Sequence, residues 1–295
     1  MKAKQYIRTD LASEYPDIED GKSVSGISVS KETKDNVEIT RVNVLTNEGE
    51  KLLNKPIGSY ITVCFGKVQL LEENELDSIC DILSNIIKNL TQKNVLNTKN
   101  PKILVVGLGN RFITPDAIGP LAVKGITVTR HIENKNAELF DAIKMRSISA
   151  ITPGVSGQTG IDSYELVLGA VKTVQPDIVI AIDALASRSV DRLTTTIQIA
   201  DSGISPGSGI GNHTKALNKA SLGVPVIAVG VPTMVSSSTL VYDALDKSGV
   251  TEISGELEQI LENGKSFYVT LNDCDEVVNK LSELISSSLN KAFCI

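Results

Sequence analysis

Four short apolar runs in the middle of the chain constrain its fold most: Lys102-Ile-Leu-Val-Val106, Ser147-Ile-Ser-Ala-Ile151, Asp177-Ile-Val-Ile-Ala-Ile182 and Val224-Pro-Val-Ile-Ala-Val229. Strands that are apolar on both faces must be covered on both faces, and helix-like segments separate these runs, which is the pattern of a parallel sheet between helix layers. Residues 162–174 and 235–247 read as covering helices, and Asp273–Leu289 as a terminal helix capped by Asn272 or Asp273. The predicted class is therefore α/β, a mostly parallel sheet with helices on both faces.

The chain upstream has a different texture. Residues 1 to about 30 are polar and acidic, with Pro16, Gly21 and Gly26, and read as an extended arm. Alternation from Asn36 to Leu45, a turn at Asn47-Glu-Gly49 and a second strand at Ser59–Phe65 predict a small antiparallel β ribbon around 36–66. Leu76, Ile79, Cys80, Ile82, Leu83, Ile86 and Ile87 recur at helical spacing between Glu73 and Leu90. Thr194–Ala200 reads as an additional strand at a sheet edge.

Two of the apolar strands end alike. Val105-Val-Gly-Leu-Gly-Asn-Arg-Phe-Ile-Thr-Pro-Asp-Ala-Ile-Gly-Pro120 leads through glycines to one carboxylate, Asp116, and Ile178-Val-Ile-Ala-Ile-Asp183 ends on another. Open α/β sheets place their sites beyond the carboxyl ends of strands, so these acids can meet in one crevice, share a proton and activate a water. Each also has a plainer reading, Asp116 as a first-turn acid facing a helix dipole and Asp183 as a cap. Their joint placement points to a hydrolase.

Other motifs are weaker. Gly107-Leu-Gly109 suggests a dinucleotide cradle, but Phe112 stands where the third glycine belongs, and no helix can begin before Thr114-Pro115. The glycine-rich stretch Gly203–His213 can present backbone N–H groups to an anion or oxyanion, or can be a lid or turn, and it lacks the P-loop lysine. Gly154-Val-Ser-Gly-Gln158 misses a nucleophile elbow by its last residue, which makes Ser156 a poor nucleophile. His131 and His213 are read as structural or loop residues.

Charge and cysteine usage exclude further classes. A net charge of −6 does not suggest a basic face for nucleic acid, and nothing in the sequence supports a local basic groove. Cys64, Cys80, Cys274 and Cys294 are scattered, without metal-ligand spacing, and read as reduced thiols. The amino terminus has no apolar signal region and no stretch reaches 18 apolar residues, so neither a membrane anchor nor secretion is expected, and the expected location is cytoplasmic.

At these same residues the sequence resembles the germination (spore) protease family, endopeptidases that degrade small acid-soluble spore proteins. The matching blocks are Val106-Gly-Leu-Gly-Asn110, Thr114-Pro-Asp-Ala-Ile-Gly-Pro120, Thr152-Pro-Gly154 with Gln158-Thr-Gly160, Ile182-Asp-Ala-Leu-Ala-Ser-Arg188, Ser202-Gly-Ile-Ser-Pro-Gly-Ser-Gly-Ile-Gly-Asn212 and Gly230-Val-Pro-Thr233. The resemblance implies an atypical aspartic endopeptidase on a fold related to hydrogenase maturation proteases, made as a zymogen that removes its own amino-terminal segment. The family's two proposed catalytic aspartates fall on Asp116 and Asp183, needing no cofactor or metal. Family substrates are cut after the acid in a T-E-[FI]-A-[ST]-E motif, which Arg8-Thr-Asp-Leu-Ala-Ser-Glu14 resembles. Cleavage is thus expected between Asp10 and Leu11, giving a propeptide of residues 1–10 and a single peptidase domain over 11–295. The resemblance further implies a homotetramer in the forespore or spore core. The rivals are a nickel-dependent hydrogenase maturation-type protease, a peptidyl-tRNA hydrolase suggested by Asn110 and His131, and a scaffold with an inert crevice.

Overall fold

The computed structural model describes residues 9–15, 18, 24–96, 98, 100–143, 145–207, 215–250, 253–263 and 267–293. After an arm with a short turn at Ala12–Glu14 come β1 (Ile27–Lys34), β2 (Val37–Val44), α1 (Asn47–Leu53), β3 (Gly58–Cys64) and the long α2 (Glu73–Asn94). There follow β4 (Ile103–Gly107), α3 (Ile118–Lys124), β5 (Ile148–Ile151), α4 (Ser163–Val174), β6 (Ile178–Ala186) and β7 (Thr196–Ala200). The chain closes with β8 (Val226–Ser236), α5 (Ser237–Lys247), β9 (Tyr268–Val269) and α6 (Cys274–Phe293).

Helix ends follow local chemistry. Glu72 with Glu75 forms a reciprocal capping box at the start of α2, and Asp162 with Glu165 does the same for α4. The apolar stripe expected on α2 is buried, with Ile79, Leu83 and Ile87 each almost wholly covered, and each such side chain contributes about 1.5–3 kcal/mol.

The strands form one sheet in the order β1-β2-β3-β7-β8-β6-β4-β5, with β9 beside β8. The class is α/β as the apolar runs require. The contacts β5·β4, β4·β6 and β6·β8 are parallel, while β1·β2, β2·β3, β3·β7 and β7·β8 are antiparallel. The amino-terminal ribbon is present and joins the main sheet through β3 and β7.

Ile103, Val105, Ile178, Ile180 and Ile182 face a core shared with α2, α3 and α6, whereas Leu104, Val106, Val179 and Ala181 face Tyr164, Val167 and Val171 of α4. Helices therefore cover both faces, and alternate residues of the same strand serve opposite layers. Three expectations need correction. Thr196–Ala200 is interior, paired with β3 on one side and β8 on the other, because its two faces are both covered. β6 and β8 run on past the expected ends, to Ala186 and Ser236, since they pair with each other up to Ala186 and Met234. The helix expected over 235–247 accordingly starts only at Ser237, capped by the Ser236 hydroxyl.

Candidate active site

The length of β6 creates the crevice. β4 stops at Gly107, whose partner is Ile182, so Asp183 is the first residue of β6 to project beyond β4. The space above β4 is filled by the turn that carries Asp116. Leu108 donates its N–H to the Ile182 carbonyl, and the chain reverses at Gly109, whose φ is +106°. A side chain there would have its Cβ 2.1 Å from the Asp116 carbonyl oxygen. The glycines thus serve close backbone packing rather than a dinucleotide phosphate.

Asp116 is held from two directions. Its Oδ2 accepts the Asn110 N–H at 2.7 Å, and Thr233 of β8 donates its hydroxyl to the neighbouring Pro115 carbonyl at 2.6 Å. The blocks containing Asn110, Asp116 and Thr233 are therefore one piece of structure. Asn110 is itself oriented by Gln158, which donates to its Oδ1 at 2.5 Å.

Asp183 is 5% exposed, and its Oδ1 accepts only the adjacent Ala184 N–H among the hydrogen bonds seen. Burial pushes its carboxyl well above the usual carboxylate range, and the nearby Asp116 and Asp10 charges push it further. Asp116 is half-buried, and burial raises it while the Asn110 N–H pulls it back. Two carboxyls within Coulombic reach, the deeper one favouring its neutral form, are equipped for joint acid and base work.

The arm docks on β6 three residues beyond Asp183. Asp10 donates its N–H to the Ala186 carbonyl at 2.8 Å, and its Oδ2 accepts the Ala186 N–H at 2.9 Å. Gln198 of β7 donates its Nε2 to the Asp10 carbonyl at 3.0 Å while its Oε1 accepts the Ala12 N–H at 2.8 Å. Both hydrogen bonds therefore bracket the Asp10–Leu11 peptide bond. Leu11 is 1% exposed and its N–H donates to the Thr9 hydroxyl at 3.0 Å.

Glu14 closes the arm on itself. Its carboxylate accepts the N–H groups of Arg188 and Ser189 at 2.7 and 3.0 Å, and the Thr9 hydroxyl also donates to it. Burial raises the Glu14 carboxyl even against these donors. Lys55 donates to the Thr9 carbonyl at 3.4 Å and lies within reach of the Asp10 and Glu14 charges, with burial lowering its own pKa.

Of the four residues singled out from sequence, Asp116 and Asp10 both lie within Coulombic reach of Asp183, and Leu11 follows Asp10 as a buried residue of the arm. Ser156 is exposed at the start of a short helix, and His131 is exposed on another over Arg130–Lys135. The glycine-rich stretch is described only to Gly207, where Ile204 bridges to Leu217; His213 and Cys294 lie outside the described residues. Gln198 and Lys55 escaped notice in the sequence, whereas Thr233 stood there as the last residue of the Gly230-Val-Pro-Thr233 block without a role. Of the two that escaped, Gln198 left a trace, as an amide inside the apolar run of β7.

Among the described residues no three His, Cys, Asp or Glu side chains are grouped to hold a metal ion. In the same residues no helix is long and apolar enough to cross a membrane.

Residues 2–248 match the family described as germination protease. A germination protease of Caldanaerobacter subterraneus subsp. tengcongensis is 42% identical over 95% of this chain and 84% of its own length. One from Clostridium perfringens is 38% identical over 96% and 85%, and one from Clostridium tetani 35% identical over 97% and 95%. Among solved structures, the nickel–iron hydrogenase maturation protease HycI of Thermococcus kodakarensis aligns with 70% of this chain and 99% of its own, at 17% identity and a TM-score of 0.37.

Proposed function

Because the chain belongs to the germination protease family, we propose that it is a self-processing endopeptidase that removes residues 1–10 by cutting between Asp10 and Leu11 and then cuts small acid-soluble spore proteins during germination. The observation that supports this reading is the arm itself: Asp10 is hydrogen-bonded to Ala186 on the strand that carries Asp183 and to Gln198, and its charge reaches Asp183.

In this mechanism Asp116, the more exposed acid, is the ionised base. It takes a proton from a water that attacks the Asp10 carbonyl carbon, while protonated Asp183 delivers its proton to the carbonyl oxygen. When the tetrahedral adduct collapses, the proton on Asp116 passes to the Leu11 nitrogen and a hydroxyl of the adduct returns one to Asp183. The products are a carboxyl at Asp10 and a new amino terminus at Leu11, with both acids restored.

The same contacts account for a T-E-[FI]-A-[ST]-E type of substrate. Thr9 ties the amide after the cut to the distal carboxylate, so threonine and glutamate at the ends of the motif fold it into one docked turn. The acid before the cut is read by the Ala186 N–H, and the distal acid by the two N–H groups at 188 and 189. Charge-assisted bonds of this kind contribute about 1.5–3 kcal/mol each. A spore protein would occupy this site once residues 1–10 are gone and the new terminus from Leu11 has left it. On this reading the enzyme acts as a homotetramer in the spore core, without metal or cofactor. The nickel-dependent alternative is not favoured, since the relatives are germination proteases.

The test is a peptide containing Thr-Glu-Phe-Ala-Ser-Glu incubated with trimmed protein. Cleavage between Glu and Phe, lost in Asp116→Asn and Asp183→Asn, is expected. An intact peptide, or cleavage that survives both substitutions, refutes the reading.

A further inference from the structure

We propose that Gln198 is a third catalytic residue, the fixed donor to the carbonyl oxygen of the bond that is cut, and at the same time a clamp on the next amide along the chain, the N–H of Ala12. This rests on the assignment of Asp10–Leu11 as that bond. Gln198 is 7% exposed on an interior strand, where a polar side chain must be paired to be tolerated. It finds its partners 188 and 186 residues away, in the arm.

The sheet register sets it level with Asp183, with β8 between them. Asp183 of β6 and Gln198 of β7 are both aligned with Gly230 of β8, so all three lie at one level of the sheet on one face. The residue between the acid and the amide has no side chain, and Leu185 folds over it: a Cβ on Gly230 would fall 2.4 Å from Leu185 Cδ1.

The amide orientation is fixed chemically. Ala12 N–H can only donate, so it must meet Oε1, and that turns Nε2 toward the Asp10 carbonyl. An N–H dipole already aimed at a carbonyl gains strength as that oxygen acquires negative charge, without reorganisation at the moment of reaction. Gln198 cannot transfer a proton. Its role complements Asp183, which can.

The two functions separate kinetically. With trimmed protein and the Thr-Glu-Phe-Ala-Ser-Glu peptide, Gln198→Met and Gln198→Glu should each lower kcat about a hundred- to a thousand-fold, the range for loss of one oxyanion donor. Gln198→Glu keeps an acceptor for the clamp, so its KM should stay within about threefold of the parent. A complementary probe leaves the protein unaltered: replacing the Phe–Ala amide of the peptide by an ester removes the clamped N–H, and should raise KM while leaving kcat within about threefold. If Gln198→Glu retains kcat, or if the ester peptide loses kcat as heavily as the variants, Gln198 is a binding clamp alone and the proposal falls. If the unaltered protein leaves the all-amide peptide whole, the endopeptidase reading has failed and Gln198 with it. If it cuts the peptide and only the Gln198 effect is missing, the endopeptidase reading survives.

Discussion

Replacing Gly109 by alanine should disable the site through the backbone. Gly109 has φ +106°, a region that L side chains rarely adopt, and forcing alanine into it costs about 1–3 kcal/mol. The added Cβ would lie 2.1 Å from the Asp116 carbonyl oxygen and 3.0 Å from its Oδ1. An unstrained C···O contact is about 3.3 Å, so the Asp116 backbone must retreat by about 1 Å. Such overpacking costs about 1–3 kcal/mol more, and a misplacement of about 1 Å in a catalytic group is enough for roughly a hundredfold loss of rate. The assay pairs kcat on the peptide with thermal unfolding. Gly109→Ala should lose about a hundredfold in kcat and about 2–6 kcal/mol in stability. The control is Gly169→Ala, on the exposed face of α4 with nothing within 4 Å of its Cβ, which should keep full activity and gain about 0.5–1 kcal/mol. Undiminished kcat in Gly109→Ala would show that the turn does not position Asp116 and would refute the reasoning.

Other outcomes follow from the buried carboxyls. The Asp183 carboxyl is raised in the folded chain above its ordinary value of 3.8, so the folded chain holds a proton that the unfolded chain has released, and stability falls as pH climbs from that value to the raised one. Thermal unfolding across pH should show Asp183→Asn lacking this loss, which amounts to about 1.4 kcal/mol per pH unit inside the window, though it is inactive. Glu14 is likewise raised above 4.5 when docked, so docking of the arm takes up a proton and tightens as pH falls from the raised value toward 4.5. Protection factors at the Arg188 and Ser189 amides, exchange rates corrected for the intrinsic pH dependence, should therefore rise on acidification in the intact chain, and this rise should disappear in Glu14→Gln. Thr233→Val removes the hydroxyl that holds the Pro115 carbonyl and should cost about 1–3 kcal/mol in stability, with kcat falling because Asp116 loses its brace.

The acid pair was legible because strand ends of a parallel sheet are a local signal, and apolar runs ending in glycine and aspartate mark them directly. What surrounds the pair was not legible, because its contacts join distant stretches. Thr194–Ala200 reads as an edge strand from sequence, but the environment of Gln198 comes from β3, β8 and the arm, none of which that run encodes. Lys55 precedes Pro56 in a loop and has no pattern of its own. β8 runs on through Pro232, which has no N–H to give a strand but whose carbonyl accepts the Thr194 N–H. The glycines around Asp116 carried a motif-like spacing whose cause is steric. A Cβ on Gly107 would meet the Gly119 carbonyl oxygen at 2.3 Å, so these two serve the packing of β4 on α3. Spacing alone does not distinguish that packing from a phosphate cradle.

The central claim is that Asp116 and Asp183 cut the peptide bond that the arm presents to them. It is tested most directly by incubating the intact chain at mildly acidic pH and determining the amino terminus of the product by mass spectrometry. The account predicts loss of residues 1–10, a new terminus at Leu11, and no processing in Asp116→Asn under the same conditions. A terminus elsewhere, or the same product from Asp116→Asn, would contradict it.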